Sequence, residues 1–423
     1  MNKKTGAFIL AVLMAGMLAA CGQNEDAKTG EEGIVENDSA GEQKNEDADS
    51  ESKEEDLPTA EDDTGETSTA EDAAGGTSIT EKDTDETAQS DEWKQQFGEN
   101  CIAEQTFEVE LSEYSGKVVF VPYMPSADEE NFHMQIVQDG KVLSEVQGYV
   151  PRELSGETFK SLDAVSFYDI NYDGNTDILL IETYGDTGFA AVYYGYMDIL
   201  EGQKAYFTSQ EELSENITGQ AEALTVPAIR ELLSAGKKNG EFSGYQEAYE
   251  AAGRLSDLES SGMRTYGLIY VDEDETPELV AGLAGYYTCL YTFHDGKIYT
   301  LMDHWGYGAM GNAGYEYAPR KNNIKNCNSD YAGAILYTTY MEISGSYTLD
   351  IKAEIKTINF DDVNGNGMPD EEEMDSLGLY GADYMDGKEI SSQEWKVFDA
   401  GEYEMITGTM SLEELQAALQ KTG

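Results

Sequence analysis

The chain has 423 residues, 84 acidic against 26 basic side chains, a formal net charge of −58 and an isoelectric point near 4.1. That charge excludes recognition of nucleic acid or of an anionic membrane surface through a basic footprint, because phosphates select for lysine and arginine. Four cysteines exclude a disulfide scaffold, whereas 40% hydrophobic and 10% aromatic residues suffice for one or two packed domains.

Charge is unevenly distributed. Residues 1–20 carry Lys3 and Lys4, then an apolar run from Ala7 to Leu18 that is too short to span a bilayer, then small residues ahead of Cys21. This is the pattern of a secretory signal peptide, and Leu18-Ala19-Ala20-Cys21 resembles the bacterial lipobox. The resemblance implies removal of residues 1–20, a lipid such as palmitate on Cys21, and a chain anchored by that lipid to the extracellular face of the cell membrane. Residues 22–92 hold 26 acidic and 4 basic side chains and no aromatic one. So little apolar surface does not offset the entropy of ordering the chain, so 21–92 is expected to be a disordered acidic tether, extended by its own charge.

Aromatic residues begin at Trp93, and 93–423 is expected to hold the folded structure. Its pattern of strands with segregated helices predicts an α+β protein with mostly antiparallel sheets, divided into a β domain over 93–202 and an α+β domain over 203–423. In the first domain, strands are expected at 117–123, 133–138, 142–146, 164–168, 178–181 and 189–196, with Asp139-Gly140 as a hairpin turn. A helical interlude is expected over 205–260, with capping-box spacing at Ser209/Glu212 and Ser243/Gln246 and with Pro227 opening a helix. Strands return at 264–271, 278–283, 286–294, 297–304, 332–343 and 347–360, with Asp295-Gly296 as a second hairpin turn. Short helices capped by Ser391/Glu394 and Ser411/Glu414 follow.

Three oxygen-rich loops carry the chemistry. The first, Asp169 to Asp177, reads D-x-N-x-D-G-x-x-D: Asp169, Asn171, Asp173 and Asp177 offer side-chain oxygens, Asn175 its carbonyl, and Gly174 allows the bend. Position twelve is Leu180, so the bidentate glutamate of an EF-hand loop is missing. The third, Asp362 to Glu373, is more complete, with Asp362, Asn364, Asn366, Asp370 and Glu373 at positions one, three, five, nine and twelve, Gly367 at six and the Met368 carbonyl at seven. The second, Tyr270 to Glu278, keeps Asp272, Asp274 and Glu278 but has Tyr at one and Glu275 where glycine belongs, and is expected to bind metal weakly or not at all. An all-oxygen set of this size suits Ca²⁺ better than Mg²⁺, with a structural role.

The first loop, between Val165-Ser166-Phe167-Tyr168 and Ile178-Leu179-Leu180-Ile181, resembles the calcium loop of FG-GAP or VCBS repeats. Lipobox, acidic tether and β-rich domains together resemble surface lipoproteins of Gram-positive bacteria. That resemblance implies an extracellular calcium-binding module of the binding or adhesion type, with a membrane partner through its lipid and a glycan or protein ligand. The chain departs from FG-GAP proteins in having two or three spaced loops, not about seven regular repeats.

The main alternative is a carbohydrate-active enzyme or cell-wall hydrolase. Trp305, Tyr307, Tyr315 and Tyr317, set among glycines, would line its cleft, although no catalytic carboxylate pair is discernible and no G-x-S-x-G, H-E-x-x-H or phosphate-loop motif occurs. His133, His294 and His304 are expected on sheet surfaces. Cys289 and Cys327 are candidates for pairing, and Cys101 is expected to be a small buried hydrophobe.

Overall fold

Residues 86–126, 132–198, 204–260 and 262–421 are described by a computed structural model. The expected signal peptide, Cys21 and most of the expected tether lie outside the described residues. The architecture is α+β, with mostly antiparallel sheet.

Three four-stranded sheets are simple meanders, in which strands adjacent in sequence are adjacent in space. The first holds β1 (Phe107–Glu110), β2 (Lys117–Tyr123), β3 (His133–Gln138) and β4 (Lys141–Gln147). The second holds β5 (Phe159–Tyr168), β6 (Asp177–Tyr184), β7 (Thr187–Asp198) and β8 (Lys204–Ser209). After helices α2 (Glu211–Gln220), α3 (Val226–Ser234) and α4 (Tyr245–Ser260), the third holds β9 (Thr265–Ile269), β10 (Glu278–Leu283), β11 (Tyr287–His294) and β12 (Lys297–Gly306). A seven-stranded sheet follows, from β13 (Tyr315–Ala318), β14 (Asn323–Asp330), β15 (Ile335–Ile343), β16 (Leu349–Ile358), β17 (Ala382–Met385), β18 (Lys388–Ile390) and β19 (Glu404–Met405). Helix α1 (Glu86–Phe97) precedes all of these; α5 (Ser392–Trp395) and α6 (Leu412–Lys421) come late in the chain.

The period of two along a strand assigns each sheet face to its own core. On β6, Ile178 and Leu180 enter a cluster with Phe120, Met134 and Ile136 of the first sheet, while Leu179 and Ile181 enter another with the helices. On β10, Leu279 and Ala281 face the helices, and Val280 faces a third cluster with Ile324 and Met341 of the large sheet. β6 and β10 are therefore covered on both faces, which is why each reads as a continuous apolar run. The helix-containing cluster is the largest and draws residues from both sides of position 202; Leu415 and Leu419 of α6 complete it, with Leu415 set against Gly253, where a Cβ would lie 2.9 Å from the leucine.

Local signals explain most element ends. Asp139-Gly140 and Asp295-Gly296 have positive φ at both residues, the twist that a two-residue hairpin requires, and Asp386-Gly387 makes a third such turn between β17 and β18. Thr225 caps α3 by accepting the Ala228 amide, with Pro227 in its first turn. Ser391 with Glu394 and Ser411 with Glu414 form reciprocal caps.

Several expectations are corrected. Residues 204–209 form β8, not helix, because Ala205 and Phe207 alternate inward with polar neighbours. No Ser209/Glu212 box forms, since α2 is entered from Gln210 without a side-chain cap. Ser243 pairs with Glu247, not Gln246. Helix α1 begins inside the expected tether, anchored by Trp93 and Phe97, which sit four residues apart on one face and pack on the cluster around Cys101 and Val121. The strand expected from residue 332 starts at Ile335, because Tyr331 and Ala332 turn with positive φ. Cys101, Cys289 and Cys327 are all free, and Cys289 and Cys327, the candidate pair, belong to different sheets.

Because β6 is packed on both faces, truncating it leaves a cavity that neither layer fills. Leu180→Ala is expected to lower stability by about 2–5 kcal/mol, read as a shift in the urea midpoint with an unchanged slope; a loss below about 1 kcal/mol would contradict the two-sided packing.

Candidate metal centres in three acidic loops

Each acidic loop leaves one sheet strand and delivers its last acidic residue into a buried position. Loop one joins β5 to β6, loop two joins β9 to β10, and loop three follows β16. The first two occupy the same place in their meanders, between the first and second strands.

Loops one and three share one hydrogen-bond scaffold. In loop one, Asp169 accepts the amides of Asp173 and Gly174 at 3.1 and 3.2 Å; in loop three, Asp362 accepts those of Asn366 and Gly367 at 3.1 and 2.9 Å. Position three accepts the position-five amide (Asn171 from Asp173, Asn364 from Asn366), and position five accepts the position-seven amide (Asp173 from Asn175, Asn366 from Met368). Positions four and six are left-handed in both: Tyr172 and Gly174 at φ 63° and 87°, Gly365 and Gly367 both at 70°. Glycine takes that conformation without strain; Tyr172 does so inside the core, 5% exposed and packed with Phe242.

A single buried carboxylate closes each loop. Asp177, fully buried, accepts from Ile170 at 2.6 Å, Asn171 at 3.3 Å and, through its other oxygen, Gly195 at 2.9 Å. Glu278, fully buried, accepts from Val271 at 2.8 Å. Glu373, 5% exposed, accepts from Asn364 at 3.2 Å and Asp370 at 3.1 Å. Position two or three is thus tied to the closing acid in every case.

Loop two lacks the position-one acid and the left-handed kinks, as expected from Tyr270 and Glu275, yet it keeps the position-three and position-five bonds. Its Asp272, Asp274 and Glu278 bring carboxylate oxygens within 4.8 Å of one another, and His294 lies 3.9 Å from Asp274. His294 is thereby drawn to the loop and stacks on Tyr347 at 3.9 Å, in place of the bare sheet surface expected.

The electrostatics favour a cation. Burial, then the charge of Asp173, pushes Asp169 up to about 7. Burial and then Asp173 raise Asp177 far above the usual carboxylate range. Burial, partly offset by the Val271 amide, pushes Glu278 up to about 8. Carboxylates so placed ionise reluctantly unless a cation shares their field. All donors are oxygens, the set that a hard divalent cation takes.

Two arrangements escaped the sequence. Glu113, in the turn after β1, accepts the Thr176 amide of loop one and is 8% exposed. Cys289, Asp303 and His304 bring ligand atoms within 4.8 Å of one another. A bulge between β11 and β12 with His304 at φ 50° turns two consecutive side chains toward one sulfur. Arg264 lies 2.7 Å from His304 Nε2, and His304 Nδ1 lies 2.5 Å from Asp303. Both ring nitrogens are engaged, and Arg264, ion-paired with Glu259 at 3.0 Å, supplies the positive charge that a metal would bring. His304 is therefore a half-buried network residue, not a sheet-surface one.

The aromatic cleft expected of a hydrolase is not formed. Tyr315 and Tyr317 are each 6% exposed within the core beneath the large sheet, and Trp305 and Tyr307 pack against that core. Alternation along β13 turns both tyrosines inward.

No protein-family model matches the chain, and no curated protein matches it significantly.

Asp169, Asp177 and Glu278 hold protons more tightly folded than unfolded. The metal-free fold therefore loses stability as pH rises from the unfolded carboxylate range, about pH 4, through the folded values near 7 and 8, and a bound cation removes that loss. In EDTA the Tm is expected to fall between about pH 5 and pH 8, with millimolar Ca²⁺ flattening the decline; parallel curves would contradict this.

Proposed function

We propose that the protein is a lipid-anchored extracellular calcium-binding module, a binding or adhesion-type surface protein whose β loops are held by structural Ca²⁺. The observation that carries this reading is the identical hydrogen-bond scaffold of loops one and three, built on different sheets almost 200 residues apart in a chain of 423. Asp169, Asn171, Asp173, Asp177 and the Asn175 carbonyl would hold one ion. Asp362, Asn364, Asn366, Asp370, Glu373 and the Met368 carbonyl would hold a second. Convergence of Asp272, Asp274 and Glu278 supports loop two as a third, weaker site.

Bound Ca²⁺ would neutralise carboxylates that otherwise repel one another, and its binding free energy would add to that of folding. Extracellular modules of this kind bind with dissociation constants on the order of 10⁻⁴ to 10⁻³ M. Because loop one lies between two sheets, its ion would stiffen the scaffold more than the exposed loop three. The acidic surface suits a ligand met through shape and hydrogen bonds, a glycan or a protein, and not a polyanion.

Calorimetric titration of the full chain is expected to show at least two Ca²⁺ sites, with Asp173→Asn and Asp362→Asn each removing one. Melting curves that are superimposable with EDTA and with millimolar Ca²⁺ would sink the structural-calcium reading. Anchoring through Cys21 is tested separately, since no described helix is long and apolar enough to cross a membrane. Cys21→Ser is expected to shift the protein from the membrane fraction to the medium, whereas unchanged fractionation would refute the lipid anchor.

A further inference from the structure

Position eight separates the three loops. In loops two and three it is Pro277 and Pro369, which have no N–H to place. In loop one it is Thr176, whose amide must find an acceptor inside a half-buried loop. That acceptor comes from 63 residues away: Thr176 donates to Glu113 Oε1. Ser112 reinforces the contact, its amide donating to Thr176 Oγ1 at 3.0 Å and its hydroxyl lying 2.9 Å from Thr176 Oγ1 and 3.1 Å from Glu113 Oε1.

Two further facts point to a cation. Glu113 is 8% exposed, and its Oε2 is buried with no hydrogen-bond partner. A half-unpaired carboxylate buried next to a loop that already holds Asp173 and Asp177 is the electrostatic complement of a positive ion. In addition, a trans peptide is planar, so the carbonyl of residue 175 and the amide of residue 176 point in opposite directions. With the Thr176 amide held by Glu113, the Asn175 carbonyl, the position-seven ligand, faces away from Glu113.

We propose that Glu113 is a positioning residue for the loop-one cation: it fixes the Asn175–Thr176 peptide so that the Asn175 carbonyl is presented to the ion. It does by an outside acceptor what proline at position eight does in the other two loops, and it ties the turn after β1 to the occupied loop. The inference rests on the reading of loop one as a Ca²⁺ site, and its test separates the two.

Full-length wild type, Glu113→Ala and Glu113→Gln are titrated with Ca²⁺ by calorimetry, the loop-one event being the one that Asp173→Asn abolishes. Amide exchange at Thr176 is followed in parallel. Glu113→Ala is expected to weaken the loop-one event about ten-fold or more and to speed Thr176 exchange, whereas Glu113→Gln, which keeps an acceptor oxygen, restores both. If Glu113→Ala does not fold, Glu113→Leu replaces it, filling the same space without an acceptor. Wild-type affinity in the Ala or Leu variant, or a Gln variant as weak as Ala, overturns the positioning role while leaving the calcium site standing. A wild type with no loop-one event overturns both.

Discussion

One buried carboxylate at the end of each acidic loop sets the local structure around it. Asp177, Glu278 and Glu373 each take one or more amides from the start of their own loop, and the first two also begin a strand covered on both faces. Burying an acid is costly unless its oxygens are satisfied, so the loop backbone must curl until its amides reach the acid. In loops one and three the curl also brings the amides of positions five and six onto the position-one carboxylate. In loops one and two the closed loop and the start of the next strand are thus consequences of the same hydrogen bonds.

That arrangement also explains why loop one is the joint of the described structure. β12 donates to it through the Thr300 amide and hydroxyl, which meet the carbonyls of Tyr172 and Asn171 at 3.1 Å each. On its other side stands the Ser112–Glu113 turn, and beneath it Tyr172 reaches the helix-lined core. Three of the four sheets therefore meet at nine residues. Loop three is different: apart from Glu373 its acidic and amide residues are mostly exposed, and its hydrogen bonds run mainly within itself and the short turn that follows, with Lys356 of β16 donating to the Gly367 carbonyl.

What the sequence disclosed was what local spacing controls. The loop grammar, the Asp-Gly hairpins, the late serine caps and the apolar runs of β6 and β10 all depend on residues within a dozen positions of one another. Features made by distant neighbours were hidden. β14 (Asn323–Asp330) has a polar sequence and is a strand because β13 and β15 pair with it on both sides. Tyr315 and Tyr317 looked suited to a ligand, yet the large sheet turns them into its core. Glu113 stands in an ordinary-looking turn, and its one trace in the sequence was indirect: Thr176 occupies a position where the sister loops have proline. Helix α1 was masked by its acidic flank, because composition averaged over the tether hid the Trp93 and Phe97 pair.

Helix α6 gives the architecture a direction in time. Each meander pairs strands that are close in sequence, so the three small sheets can form one after another as the chain becomes available. The core shared by the second and third sheets closes only when Leu415 arrives against Gly253 and Leu419 joins the same cluster, and when Met410 bridges to Tyr266. Until then the helices expose one apolar flank. A chain emerging amino-terminus first would therefore hold its sheets early and its cooperative stability late, and the interval between the two is when it is most vulnerable to proteolysis and to pairing with another copy.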